Sequence, residues 1–174
     1  MSAEPDTQRA GLGLVLGGVV RIPDLDQLRA LAGVEVELRA GSELEWEEVE
    51  LATAPPLTLR RLSEGDARFA QQQRGLVGFA VQASGGLDAR TLAIVQRLQA
   101  AHHAFGLSGS EAGREAAGPV LRSLAQQQNG LVLRDALLLD HELRVLVSAE
   151  PANQPDPAAV LPVLPDAMER LEAS

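Results

Sequence analysis

The chain has three histidines, and acid–base or metal chemistry would have to start from them. His141 is the best placed, in Asp140-His141-Glu142 after an apolar run that reads as a strand. A histidine flanked by carboxylates at a strand end has the parts of an oriented general base, and Asp135 is near enough in sequence to join them. The same tripeptide is also what a solvated hairpin turn looks like. No nucleophile elbow, H-E-x-x-H helix or phosphate loop accompanies it. His102 and His103 are adjacent in a stretch that reads as helix, so their side chains diverge by about 100° and cannot grip one metal together. Zinc would want a partner at i+4, but positions 106 and 107 are Gly and Leu. On helical angles His102 borders the buried face and His103 faces solvent. No catalytic residue, metal set or cofactor is therefore assigned. The Asp135, Asp140, His141 and Glu142 corner stands as the alternative, an acid–base or metal-assisted site for a small molecule.

Five glutamates lie within residues 43–50 of ELEWEEVEL (43–51). Calcium needs six to eight oxygens converging from a loop. Alternating carboxylates on a strand point outward together instead, which reads as a solvated face. The net charge of −9 opposes binding to a phosphate backbone, and Arg60-Arg61 is the only cation pair, so no nucleic acid is expected. The apolar run GLGLVLGGVV (11–20) is too short to span a bilayer, and Glu4 and Asp6 precede it where a signal peptide would be basic. A cytoplasmic protein with no membrane partner is expected. The GxG at the start of that run lacks the later glycine of a dinucleotide fingerprint and is preceded by a tail, not a strand.

Composition limits how far single residues can be read. Lys, Tyr and Cys are absent, and all fifteen cations are Arg. The missing types have mostly AT-rich codons, which points to a GC-rich, bacterial genome. Where every cation is Arg, an Arg at a given place is weaker evidence for bidentate recognition.

The elements that must position these residues follow from periodicity and punctuation. Residues 1–10 are polar and aperiodic, and read as a mobile tail. A strand is expected at 11–22. A helix comes next at 23–33, with Asp24 and Asp26 in its first turn and Gly33 as its stop. VEVELRA (34–40) alternates as a strand with one wet side. In 43–51 the alternation slips at Glu47-Glu48, which calls for a β-bulge. Pro55-Pro56 break the ladder before a short strand, LTLRRL (57–62). Ser63 and Asp66 then cap a helix to about Gln73, stopped by Gly75. GLVGFAVQ (75–82) reads as a buried strand. Residues 87–105 read as a long helix burying Ile94, Leu98 and Phe105, with Arg97 outward. After a glycine-rich stretch with a Ser108/Glu111 capping pair, Pro119 opens a second helix that Asn129-Gly130 stops. A buried strand at 131–139, with an interruption near Arg134-Asp135, and a last strand at 143–148 flank the turn at 140–142. The octapeptides AQQQRGLV (70–77) and AQQQNGLV (125–132) match at seven of eight positions, each read as a helix–glycine–strand join.

A strand, a long helix and a helix–Gly–strand join ending in Asp140 resemble, in pattern, the ferredoxin-like α/β sandwiches. The likeness covers less than half the chain and carries no diagnostic residue, so it implies a layered fold and nothing about activity. The expected architecture is one α+β domain, residues 11–148. It has ferredoxin-like sandwich elements: a mainly antiparallel or mixed sheet with helices packed on one face, and short tails at both ends. A proline-rich linker (149–164) then leads to a short amphipathic helix (165–174), with Leu164, Met168 and Leu171 on one stripe as partner-binding candidates. The favoured function is a non-catalytic protein-interaction or regulatory module that binds a protein partner or a second copy of itself.

Overall fold

The computed structural model describes residues 9–86, 88–135 and 137–148. The expected linker and C-terminal helix lie outside the described residues, as does the expected tail up to residue 8. In chain order the elements are β1 (Arg9–Gly17), α1 (Leu25–Ala32), β2 (Val36–Gly41), β3 (Trp46–Leu51), β4 (Leu57–Ser63), α2 (Ala67–Ser84) and α3 (Ala89–Gln99). They continue with β5 (His103–Ser110), a 3-10 turn at Glu111–Gly113, α4 (Arg114–Gln128), β6 (Leu131–Arg134), β7 (Leu137–Leu139) and β8 (Val145–Ser148). The eight strands form one antiparallel sheet in the order β2-β3-β4-β5-β1-β6-β7-β8. The protein is an α+β sandwich.

Two β-α-β-β-β runs, β1 to β4 and β5 to β8, are joined by the α2–α3 pair. Their first strands pair with each other at the centre of the sheet, so each lies beyond the other from its own meander.

The helices divide between the two faces of the sheet, where the sequence pattern puts them all on one. Leu25 and Leu28 of α1 and Ala117, Val120, Leu121 and Leu124 of α4 pack with Val15, Trp46, Leu59, Phe105 and Val132. Phe69, Leu76 and Ala80 of α2 and Ile94 and Leu98 of α3 pack with Leu16, Ala104, Leu131 and Leu138. Neighbours such as Val15 and Leu16 enter opposite cores because strand side chains alternate. A strand buried on both faces loses its apolar/polar alternation. That is why the covered start of β5, His103–Phe105, cannot be told from helix by periodicity.

Several expected boundaries hold. Asp24 and Gln27 form a reciprocal capping box at 2.9 Å each way, and Gly33 closes α1 in the left-handed region at φ 70°. The bulge expected at Glu47-Glu48 is present, since Ala40 pairs with Glu48 while Gly41 pairs with Trp46. Trp46, Val49 and Leu51 can thus all be buried.

Other expectations fail for identifiable reasons. The segment 75–82 is the second half of α2, not a strand, and Gly75 does not stop the helix. Phe69, Leu76 and Ala80 fall on one helical face, and their burial outweighs roughly 1 kcal/mol for each exposed glycine. The helix read over 87–105 ends at Gln99, and Phe105 lies on β5 in the opposite core from Ile94 and Leu98. Helix α4 starts at Arg114 and carries Pro119 in its interior. The interruption expected near Arg134-Asp135 is present, but it is a full hairpin turn, with Asp135 at φ 55°, and it makes two antiparallel strands of 131–139.

Arg97 and His103 also move from expected surface to interior. Arg97 is only 6% exposed and donates to the Asn129 carbonyl, and burial pushes its pKa down to about 10. His103 is 9% exposed, while His102 is the more open of the two and pairs with Glu64.

Candidate functional site

The predicted corner does not assemble as one group. Asp135 turns the β6–β7 hairpin and pairs with Arg114, whereas Asp140, His141 and Glu142 lie at the other end of β7. Asp140 is fully buried, and its Oδ1 accepts from the backbone N–H groups of Glu142 (2.8 Å) and Arg144 (2.9 Å). That is an Asx turn, the local bonding that short acidic side chains favour. Glu142 accepts from Arg122 at 2.5 Å and Gln126 at 2.7 Å, and the guanidinium holds its carboxyl below the usual carboxylate range. The Nδ1 of His141 is buried with no partner among the described residues. Among those residues no three His, Asp or Glu side chains converge as a metal set would.

A second polar cluster was not legible in the sequence. His103 Nε2 donates to the Val20 carbonyl at 2.6 Å, so its Nδ1 is free to accept from the Ser63 hydroxyl at 2.9 Å. Burial is the main cause holding the imidazole below its ordinary pKa and therefore neutral at pH 7. A serine bonded to a neutral histidine has the geometry of a nucleophile and its base. Here, however, the hydroxyl also accepts from Arg61, and Ser63 does not line the adjoining cavity of about 590 Å³, which His103 and Arg61 do. The cluster ties the end of β4 and the start of β5 to the segment after β1.

A groove of about 830 Å³ lies between α2 and the middle of the sheet. Its floor is two cross-strand rows. In the first, Arg60, Gly106, Leu14 and Leu133 stand opposite one another on β4, β5, β1 and β6. In the second, Thr58, Ser108 and Gly11 do the same. The row before them, Leu62, Ala104, Leu16 and Leu131, is packed into the core under α2 and α3. Gly106 in the first row and the small Thr58, Ser108 and Gly11 in the second leave the sheet unfilled beyond the covered end, and the missing bulk is the groove. Gly106 matters most here, because a Cβ placed on it meets only a Leu14 methyl at 3.9 Å.

One wall is the α2 stripe Gln72, Gly75, Leu76 and Phe79, spaced as one helical face. The other is the β6–β7 turn, with Arg134 and Asp135. The charges in the groove are engaged elsewhere: Arg60 reaches Glu48 at 2.6 and 3.0 Å, and Arg134 donates to the Arg114 carbonyl at 2.6 Å. The groove therefore offers apolar surface (Leu14, Leu76, Phe79 and Leu133) with a few hydrogen-bonding groups. Sequence reading treated these residues only as core or strand. The sole clue was the Gly-x-Gly spacing at 11–13, a glycine pattern that marks close backbone approach.

Comparison with protein-family models, curated proteins and solved structures returns no match. No helix among the described residues is long and apolar enough to cross a membrane. The expected partner residues Leu164, Met168 and Leu171 lie outside the described residues.

Proposed function

We propose that the protein is a non-catalytic interaction module whose groove between α2 and strands β4, β5, β1 and β6 holds an apolar peptide segment. The observation that carries this reading is the truncated pair of cross-strand rows, which leaves partly exposed Leu14, Phe79 and Leu133 around a glycine floor. Sites that take small apolar groups are concave, mostly apolar and edged by a few polar groups, and this groove has that form. Peptides that enter such grooves do so as amphipathic helices with anchors at i, i+3/i+4 and i+7.

A reporter at the groove tests the reading. Trp46 is the only tryptophan and is fully buried in the opposite core, so Phe79→Trp adds one distinguishable fluorophore. A ten-residue acidic peptide carrying Leu, Met and Leu at i, i+4 and i+7 should shift the emission of that reporter saturably. Gly106→Phe, which fills the floor without a backbone clash, should abolish the shift. Emission that stays flat to millimolar peptide overturns the proposal.

A further inference from the structure

We infer that the groove is filled by this chain's own C-terminal segment, with Leu164, Met168 and Leu171 as the anchors. The inference rests on the groove being a docking site. Its first support is where the chain leaves the sheet. Ser148, the last residue of β8, pairs with Leu137, which pairs with Arg134 on the groove rim. The chain therefore leaves at the groove's end of the sheet. Three strand spacings, roughly 14 Å, separate β8 from β1 at the groove floor.

The tether reaches easily. Residues 149–163 carry four prolines, and extended polyproline spans about 3.1 Å per residue, roughly 46 Å in all. Residues 1–8 lead into β1 from the same end, beside the Arg9–Ser110 pair, but MSAEPDTQ has no apolar stripe to offer.

Chemistry also matches. Residues 149–174 hold five acidic residues (Glu150, Asp156, Asp166, Glu169 and Glu172) against Arg170, a net charge of −4. The groove lining holds Arg60 and Arg134 against Asp135, a net charge of +1. A stripe shorter than three turns is marginal alone in water and needs a surface to fold on. A tether this short holds the segment at an effective concentration on the order of 1 mM. With an intrinsic Kd of about 100 μM it would fill the groove roughly 90% of the time and weaken any competing ligand about ten-fold. The contact is then a built-in competitor that sets the threshold for an outside partner.

The test uses the full chain carrying Phe79→Trp, with and without Leu164→Glu, Met168→Glu and Leu171→Glu together. Far-UV circular dichroism of both chains checks that each is folded. The expected result is a monomer by sedimentation velocity in both. The substituted chain should show red-shifted, more readily quenched reporter emission and bind an added peptide of residues 161–174 about ten-fold more tightly. If reporter and peptide affinity are the same in both chains, the in-chain contact is overturned while the groove still binds peptide. If the peptide binds neither chain, the groove itself is refuted as a docking site. A dimer that the triple substitution dissociates overturns the in-chain contact and assigns the segment to a second copy.

Discussion

AQQQRGLV (70–77) and AQQQNGLV (125–132) differ at one residue in eight, yet they fold differently. The first lies wholly within α2, which runs on through Gly75 to Ser84. The second ends α4 at Gln128, turns through Asn129 at φ 51° and enters β6 at Leu131. The tertiary surroundings of each copy's C-terminal half decide between the two outcomes. Beyond Gly75, Leu76 and Ala80 continue the face begun by Phe69 and bury it against the second core. Beyond Gly130, the backbone of β1 offers a ladder, and Leu131–Leu133 pair with Leu16–Leu14. The third glutamine of each copy behaves alike, satisfying backbone carbonyls outside its own helix. Gln73 donates to Leu98 and Gln99 at 2.8 and 3.0 Å, and Gln128 donates to Arg21 at 3.0 Å. The two copies occupy non-equivalent places in the paired β-α-β-β-β runs, since one lies between the runs and the other inside the second.

One substitution made at both glycines should separate the two copies most. A Cβ on Gly130 would run into the Leu16 carbonyl of β1, so Gly130→Ala should cost about 3 kcal/mol, the upper range for overpacking. At Gly75 a Cβ meets nothing within 4 Å, and Ala is the better helix former, so Gly75→Ala should stabilise by about 0.5–1 kcal/mol. Denaturant midpoints moving in the same direction for both would refute the two assignments.

The glutamines should differ in degree. Gln128 is fully buried, so Gln128→Ala removes packing and strands a carbonyl, at about 1–3 kcal/mol. Gln73 is partly exposed, and Gln73→Ala should cost about 0.5–1.5 kcal/mol, readable in the same titrations.

The smallest effect concerns pH at the join where the segment after β1 meets both α4 and His103. Burial lowers the folded-state pKa of His103 below its ordinary value of about 6.5. Between those two values the unfolded chain binds more protons, so stability is fully present above about pH 6.5 and falls on acidification through the window. Midpoints measured from pH 7.5 to 5.5 should fall less steeply in His103→Gln. Equal slopes would remove the imidazole as the cause.

Local chemistry was enough for some of this. Asp24, Gln27 and Gly33 set both ends of α1 through bonds made within the helix and its caps, and the slipped phase at Glu47-Glu48 located the bulge from residues on one strand. The antiparallel α+β class came from short alternating strands broken by turn residues. The candidate site was almost invisible, because its parts are glycines and leucines whose role depends on which strands become neighbours. Arg60, Gly106, Leu14 and Leu133 come from β4, β5, β1 and β6, and they line up only because β1 inserts between β5 and β6. The same pairing buried His103 and hid the start of β5, because His103, Ala104 and Phe105 are buried in succession and leave no alternation to read there. Capping and phase are short-range bonds that a sequence carries in itself. Burial on two faces, the fate of each AQQQ copy and the groove depend on what the rest of the chain places opposite, and that is decided only when the sheet closes.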